Sequence, residues 1–127
     1  MLSSKAPSPL PVDDVARVKE TGLWEITAFL MKRRFRFRVE GQSMTPVLEP
    51  KDLVFVRPIN QVSVGDVIVL RPPFKTDVTL IKYVAFVNEQ GAVYVLGTNL
   101  KESTDSRTLG WIPPKLIYGR VQSRIRP

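Results

Sequence analysis

The chain has 127 residues, of which 43% are hydrophobic and 24% charged, a composition typical of one soluble globular domain. It contains neither cysteine nor histidine, which excludes disulfides, thiolate zinc sites, cysteine nucleophiles and histidine bases. Any hydrolytic chemistry must therefore take its base from Lys, Asp, Glu or Tyr. The net charge of +7 would suit an anionic partner, but no nucleic-acid motif accompanies it, so we predict no nucleic-acid partner.

Residues 1–11 are rich in Ser and Pro and are predicted to be a disordered tail without the apolar core of a signal peptide. Residues 12–34 are predicted to form an N-terminal helical segment, because hydrophobic residues follow roughly helical spacing behind Asp13 and Asp14. This helix is expected to pack on the domain, with peripheral membrane contact through residues 21–38 as the alternative. No stretch has the ~20 apolar residues that a transmembrane segment needs, and without a targeting signal we expect a cytoplasmic location.

Residues 35–127 are predicted to form one mainly β domain. Around Arg34 the hydrophobic period changes to two, which indicates a half-buried strand with an arginine-lined outer face. Branched and aromatic residues bounded by Pro, Gly and Asn predict further strands over 53–57, 66–70, 78–87, 92–96 and 117–124. Residues 88–91 separate two apolar runs and predict a hairpin turn.

Two loop segments carry candidate polar groups. Ser43 follows the first predicted strand, in a turn where Gly41 allows a sharp change of direction. Serines in turns are usually structural, so this feature alone is weak evidence for a nucleophile. A second loop, residues 97–107, follows an apolar strand, and its Asp105 and Arg107 could form an ion pair.

Lys82 lies in the middle of the most apolar predicted strand. If it shares the inward face with Leu80 and Val84, desolvation lowers its pKa and favours the neutral amine that a general base requires. If Ile81 and Tyr83 face inward instead, Lys82 lies in solvent. The strand pattern alone leaves both orientations open.

The order of these segments resembles the type I signal peptidase superfamily of serine–lysine peptidases. Residues 41–52 match Gly-X-Ser-Met-X-Pro-X-Leu-X-Pro-X-Asp, and residues 65–69 read Gly-Asp-Val-Ile-Val. Residues 80–84 resemble the block with the catalytic lysine, and residues 97–107 resemble the final Gly-X-Asn to Ser-X-Asp-Ser-Arg block. The resemblance spans roughly residues 37–121 and implies a signal-peptidase or LexA-like β-barrel or sandwich with a short N-terminal helix.

The resemblance also implies roles for individual residues. Ser43 would be the nucleophile and Lys82 the general base, and the Ser43 backbone N–H would donate to the oxyanion. Ser103 matches the serine that orients the lysine. The residues implied to support the site are Gly41, Met44, Asn99, Asp105, Ser106 and Arg107. Neither a metal nor another cofactor is expected.

The chain departs from the family pattern at several positions. Gly41 stands where many bacterial signal peptidases carry a hydroxyl residue that completes the oxyanion hole, so the second donor is not identified. Lys51 replaces a common Gly in a turn, at a cost of up to about 1 kcal/mol. Tyr83 replaces a common Arg, and Thr98 replaces a common Asp.

Within this superfamily, residues 103–110 closely resemble a run of the small nickel-type superoxide dismutase maturation proteases. That resemblance implies removal of an N-terminal propeptide from the dismutase precursor, the expected protein partner. One alternative is a general signal-peptidase-like processing protease attached peripherally to a membrane. An alternative of another class is a catalytically inactive binding module that uses the basic face at 32–38. The joint presence of Ser43, Lys82 and Ser103 disfavours this inactive module.

Overall fold

A computed structural model of the protein describes residues 8–15, 18–20, 22, 35–75 and 77–127. These residues form seven strands, three 3-10 turns and one short helix, which confirms the mainly β fold. The strands are β1 (Lys19–Glu20), β2 (Phe35–Arg38), β3 (Leu53–Arg57), β4 (Val67–Leu70), β5 (Leu80–Val87), β6 (Val93–Leu96) and β7 (Ile117–Ile125). The helix α1 is Ser106–Leu109, and the 3-10 turns are Val12–Asp14, Leu100–Glu102 and Pro114–Leu116.

The strands belong to one sheet in the order β2-β3-β7-β4-β5-β6, with β1 added parallel to β7. The long strand β7 joins the two halves of the sheet, since one part pairs with β3 and another with β4. Both pairings are antiparallel, and both contain a register shift. Such irregularities bend and twist a strand, which helps one sheet curve around its own core.

Two apolar clusters cover the two faces of β5. Ile81 and Tyr83 contact the first cluster, whose buried members include Met44. Leu80 and Val84 contact the second cluster, which is built on β4 and β6. An interior strand covered on both sides does not show a clean alternation of polar and apolar residues. This arrangement explains why the sequence left the orientation of Lys82 open.

The predicted hairpin turn between β5 and β6 is confirmed. The Asn88 side-chain oxygen accepts hydrogen bonds from the backbone N–H groups of Gln90 and Ala92, at 3.0 and 2.9 Å. Gly91 has a φ of +81°, a conformation that glycine adopts without strain. The turn thus uses both residue types on which the prediction rested.

The described part of residues 12–34 is not a continuous helix. Val12–Asp14 forms a single 3-10 turn, and Val15 is already extended. Lys19–Glu20 is a strand that pairs with Ser123 and Arg124 of β7. Its backbone hydrogen bonds therefore go to a distant strand that local spacing does not reveal. The other residues of this predicted helical segment lie outside the described ranges.

The predicted tail is described only for residues 8–11, and this part contacts the domain. Leu10 packs against the first apolar cluster, and its N–H donates a 3.2 Å hydrogen bond to the Tyr83 hydroxyl. On β2, Arg36 and Arg38 are exposed while Phe37 is half-buried, as the alternation predicted. The charge of this strand therefore lies mainly in solvent.

Candidate active site

Ser43 lies in a tight turn between β2 and β3, residues 41–46, which we call the Ser43 turn. Gly41 has a φ of +71°, and a Cβ there would meet no atom within 4 Å, so its backbone conformation rather than space requires glycine. The Leu48 N–H donates to the Met44 carbonyl at 2.8 Å, and both side chains are buried in the first cluster. These anchors hold the half-buried Ser43 at the domain surface.

The structure brings Ser43 and Lys82 into direct contact. The Lys82 Nζ donates a 2.7 Å hydrogen bond to the Ser43 Oγ. Lys82 is only 3% exposed, so its side chain points inward from β5. A buried amine in hydrogen-bonding contact with a hydroxyl is the arrangement in which the amine can remove the hydroxyl proton.

The surroundings of Lys82 favour its neutral form. Burial lowers the pKa of Lys82 to about 8. The negative charge of Asp105 partly offsets this effect, and the positive charge of Arg107 adds to it. With this pKa about a tenth of the lysine is neutral at pH 7, compared with well under a thousandth for an unperturbed lysine.

Asp105, which is 1% exposed, organises the loop beside the lysine. Its carboxylate accepts a 2.6 Å hydrogen bond from the Ser103 Oγ, a 3.1 Å bond from the Gly97 N–H and a 2.8 Å bond from the Arg107 Nε. Burial alone would raise the pKa of Asp105, but the bonds from Arg107, Ser103 and Gly97 outweigh burial and hold it below its ordinary 3.8. The carboxylate therefore stays charged, and the Ser103 hydroxyl bonds to it rather than to Lys82.

The other predicted supporting residues fix the same loop. The Asn99 N–H donates to the Ser43 carbonyl at 2.9 Å. The buried Ser106 Oγ accepts from the Val95 N–H at 2.8 Å and so ties α1 to β6. An Arg107 Nη2 donates to the Leu100 carbonyl at 2.7 Å. The structure thus gathers the 97–107 loop and the Ser43 turn around Lys82.

Three residues of this arrangement were not among the predicted site residues. A Cβ at Gly97 would collide with the Ser103 hydroxyl and the Ser43 carbonyl, so these groups pack together only around a glycine. The Thr98 Oγ1 donates to the Thr45 carbonyl at 2.8 Å, which joins the loop to the Ser43 turn. The motif match at 97–107 pointed to Gly97 and marked Thr98 only as a departure from the family pattern, and no local signal marked Thr45.

A cleft of about 300 Å³ runs past Ser43 and Lys82. One wall comes from β2 and the residues after it, and the other from the beginning of β5. Its lining consists of Phe37, Arg38, Val39, Glu40, Ser43, Met44, Asp77, Thr79, Leu80, Ile81 and Lys82. In the described part of the chain, residues 80–82 pair with β4 but not with β6, whose pairing begins at Tyr83. Strand edges therefore face this cleft.

The same part of the chain holds no group of three or more acidic side chains that could bind a metal ion. Its helices also include none with the length and apolar character to cross a membrane.

Comparison with protein families identifies the relationship. A model of S24-like peptidases matches residues 13–104, and one of S26 signal peptidases matches residues 86–126. This chain belongs to the S24-like peptidase family. The first match includes Ser43 and Lys82, and the second includes the whole 97–107 loop. Membership indicates a peptidase with a signal-peptidase-like domain and a protein substrate.

The curated relatives of this S24-like peptidase include subunit 1 of the mitochondrial inner membrane protease. The human protein is 28% identical over 110 residues, covering 68% of this chain and 66% of that protein. The Xenopus tropicalis protein is 29% identical over the same coverage. The Saccharomyces cerevisiae protein is 40% identical over 73 residues, covering 57% of this chain and 34% of that protein. The match thus spans just under two thirds of the human and frog relatives.

These relatives overturn one expectation from the sequence. The cytoplasmic location was inferred only from a missing targeting signal and is wrong, because the matched relatives are named as subunits of a mitochondrial inner membrane protease. They also give no support to the narrower resemblance to nickel-type superoxide dismutase maturation proteases.

Proposed function

We propose that this peptidase is a serine endopeptidase in which Ser43 is the nucleophile and Lys82 the general base. The observation that carries the proposal is the 2.7 Å hydrogen bond between the Lys82 Nζ and the Ser43 Oγ. Its chemical support is the burial that lowers the pKa of Lys82 to about 8. A hydrogen bond between two exposed side chains would not supply the neutral amine that proton abstraction needs.

The proposed reaction has two steps. The Ser43 Oγ attacks the scissile carbonyl carbon while its proton moves to the Lys82 Nζ, and a tetrahedral oxyanion forms. The oxyanion collapses as the C–N bond breaks, and Lys82 passes the proton to the leaving amine. An ester between Ser43 and the substrate's acyl part remains. Water, deprotonated by Lys82, then attacks this ester and releases the acid and the Ser43 hydroxyl.

The Ser43 backbone N–H is the proposed donor to the oxyanion. Within the described ranges, no backbone hydrogen bond uses this N–H. A donor in the nucleophile's own peptide unit lies close to the carbonyl under attack, and such donors supply a large part of catalysis in acyl transfer.

The cleft supports binding of the substrate as an extended strand. Its walls contain strand edges from β2 and from residues 80–82 of β5, where backbone groups can pair with a peptide. Apolar side chains from both walls, including Phe37 and Ile81, can contact alternate side chains of that peptide. Prolines placed in the substrate strand should therefore reduce cleavage.

The proposed substrate class is a precursor protein that loses an N-terminal segment. The names of the relatives support processing at the mitochondrial inner membrane. The resemblance of residues 103–110 instead supports a nickel superoxide dismutase precursor as the substrate. Both precursors can be tested with the same purified protein.

The test is cleavage of the two precursors, followed by mass spectrometry of the products. Ser43→Ala and Lys82→Met are run beside Ser63→Ala and Lys115→Met, which remove the same groups from exposed positions. A single cut that is lost only in the first pair supports the dyad, and the precursor that is cut identifies the substrate. A cut that survives both site substitutions contradicts the mechanism. Absence of any cut by the parent would favour the inactive binding module with its basic β2 face.

A further inference from the structure

The carbonyl groups of the Ser43 turn are held by several donors. The Gln42 carbonyl accepts from the Thr45 N–H at 3.2 Å and from the Thr45 Oγ1 at 3.0 Å. The Ser43 carbonyl accepts from the Asn99 N–H at 2.9 Å. The Thr45 carbonyl accepts from the Thr98 Oγ1 at 2.8 Å. Three carbonyl directions in this turn are therefore fixed.

The Thr45 hydroxyl links the loop to the turn. It accepts a 3.2 Å hydrogen bond from the Asn99 Nδ2 and donates its own proton to the Gln42 carbonyl. The hydroxyl thus has one donor and one acceptor partner, which fixes the direction of its proton. Successive hydrogen bonds polarise one another and strengthen the chain from Asn99 to Gln42.

Peptide geometry carries this constraint to the nucleophile. The peptide bond between Gln42 and Ser43 is trans, so the Gln42 carbonyl and the Ser43 N–H point in opposite directions within one plane. Because Thr45 holds the carbonyl on its own side, the Ser43 N–H points away from Thr45. Rotation of this peptide plane would turn the N–H away from a substrate oxygen and leave the carbonyl in its place.

We propose that Thr45 is a positioning residue that orients the Ser43 N–H toward the oxyanion, with Asn99 fixing the Thr45 hydroxyl and Thr98 fixing the Thr45 carbonyl. This inference rests on the proposed function, because it assigns a role within the same reaction. Thr45 does not line the cleft and acts through the Gln42–Ser43 peptide.

A positioning role for Thr45 has a kinetic signature different from that of a folding role. The oxyanion exists in the transition state and not in the bound substrate, so a misdirected N–H lowers kcat and leaves KM nearly unchanged. Lys82 keeps its surroundings, so the midpoint of the pH–rate profile stays in place. If the substitution instead unfolded part of the protein, the loss of activity would equal the unfolded fraction measured in a thermal unfolding curve.

The experiment compares Thr45→Val, which removes the hydroxyl at nearly constant shape, with Thr45→Ser, which keeps it. Thr108→Val makes the same exchange at an exposed position of α1. With the precursor that the parent cuts, we expect Thr45→Val to lower kcat by about 10-fold to 100-fold, less than or similar to the loss of a whole oxyanion donor. Thr45→Ser should stay within about threefold of the parent, and Thr108→Val should match it.

A second measurement does not require a substrate. In proton–nitrogen correlation spectra, Thr45→Val should shift the Ser43 amide resonance, whereas Thr45→Ser should leave it near its parent position. If Thr45→Val does not fold, Thr98→Val is measured in its place. A lower kcat and a shifted Ser43 amide resonance are again expected. Thr98→Val removes the neighbouring hydrogen bond to the turn.

The outcomes separate this inference from the proposed function. If the parent's cut depends on Ser43 and Lys82, but Thr45→Val keeps the parental kcat or moves only KM, the inference is wrong and the dyad stands. An unchanged Ser43 amide resonance in Thr45→Val also overturns the inference. If the parent cuts neither precursor, the proposed function fails and the inference fails with it.

Discussion

Asp105 and Asp52 are both buried carboxylates that bind an arginine, and they differ in the second charged group that lies near each carboxylate. Asp105 binds Arg107 and faces the buried Lys82, whose pKa it influences. Asp52 is 0% exposed and binds Arg126 through two hydrogen bonds of 3.0 Å each. The two sites thus contain the same kind of ion pair in different electrostatic surroundings.

The Asp52 site holds two chain segments together. Its carboxylate also accepts a 3.0 Å hydrogen bond from the Glu49 N–H and lies 3.9 Å from the Arg124 guanidinium. Burial alone would raise the pKa of Asp52, but the bonds from Arg126 and the Glu49 N–H, with the charge of Arg124, lower it below 3.8. Asp52 and Arg126 keep their charges at neutral pH, so this ion pair can stabilise the fold but cannot transfer a proton.

The Asp105 site contains one group whose charge changes near neutral pH. Asp105 and Arg107 remain ionised, while the pKa of the neighbouring Lys82 is about 8. The comparison shows that a buried ion pair acquires a chemical role from what it contacts. At Asp52 the carboxylate–arginine pair lies beside another arginine, whereas at Asp105 the pair influences the pKa of a buried amine, the proposed proton acceptor.

The largest effect is expected for Lys82→Met, which removes the titrating group beside Asp105. Methionine keeps much of the volume but accepts no proton, so cleavage should fall at least 1000-fold, in the range seen when a unit of catalytic groups is broken. The same change should raise the free energy of unfolding by roughly 1–3 kcal/mol at pH 7, because a lysine with a lowered pKa is costly to bury in its charged form. Activity assays and denaturant unfolding measure the two effects.

The pH dependence of that gain in stability provides its control. A folded pKa of about 8 against an ordinary 10.5 means that the cost of Lys82 is present in full below pH 8 and disappears as pH rises toward 10.5. The stability gain of Lys82→Met should therefore shrink between pH 8 and pH 10. A gain that is the same at both pH values would show that packing, not charge, produces it.

Asp105→Asn should lower kcat about 10-fold to 100-fold and move the pH–rate midpoint to lower pH. The kinetic loss follows because an asparagine side chain keeps only one acceptor oxygen and presents an NH2 donor in place of the other, whereas Ser103, Gly97 and Arg107 all donate to this carboxylate. The midpoint moves because the Asp105 charge raises the pKa of Lys82, so its removal lowers that pKa further. A pH–rate profile of the variant measures both changes, and a midpoint that moves to higher pH would contradict this account.

Asp52→Asn is the matched variant at the structural site. It should cost about 1–3 kcal/mol of stability, because the Glu49 N–H, Arg126 and Arg124 lose a charged partner, whereas Arg126, whose side chain is 37% exposed, regains contact with water. The kcat of the folded fraction and the pH–rate midpoint should stay at the parental values. A shifted midpoint in this variant would show that Asp52, like Asp105, influences the pKa of Lys82.

The pH–rate profile of the unsubstituted protein tests whether a group with a pKa near 8 takes the proton, and the expected change in rate is smaller than that for Lys82→Met. In the proposed mechanism the reactive form is neutral Lys82, so the rate should rise about tenfold from pH 7 to pH 9 and level off above pH 9. The measurement is single-turnover cleavage, which isolates the chemical step. A rate that stays flat across this interval would mean that no group with a pKa near 8 takes the proton.

Local residues predicted much of the sheet and little of the site. The range 53–57 was predicted to the residue, since branched and aromatic side chains fill it and Pro58 follows it. The helix over the N-terminal segment was wrong in its described part, because the partner of Lys19–Glu20 lies about a hundred residues away in β7. Pairing between distant segments leaves no trace in local periodicity.

The site depends still more on distant contacts. Ser43 and Lys82 are 39 residues apart, and Thr98 bonds to the turn across 53 residues. The family motifs indicated the first pair, but no motif marks a hydroxyl bound to a backbone carbonyl. The inward orientation of Lys82 could not be predicted from the strand pattern, because an apolar cluster covers each face of β5.

The smallest predicted effect lies beside Asp52. Lys51 has a φ of +75°, which disfavours every residue except glycine, and its backbone is held in place by hydrogen bonds to Val39 and Arg38. Lys51→Gly relieves this strain but gives the unfolded chain more freedom, so the net gain should be a few tenths to about 1 kcal/mol. Denaturant unfolding measures that gain, with Lys115→Gly at an ordinary exposed position as the control. Because Lys51 belongs to the structural region, kcat should not change, and a change in kcat would mean that the Asp52 region also positions the Ser43 turn.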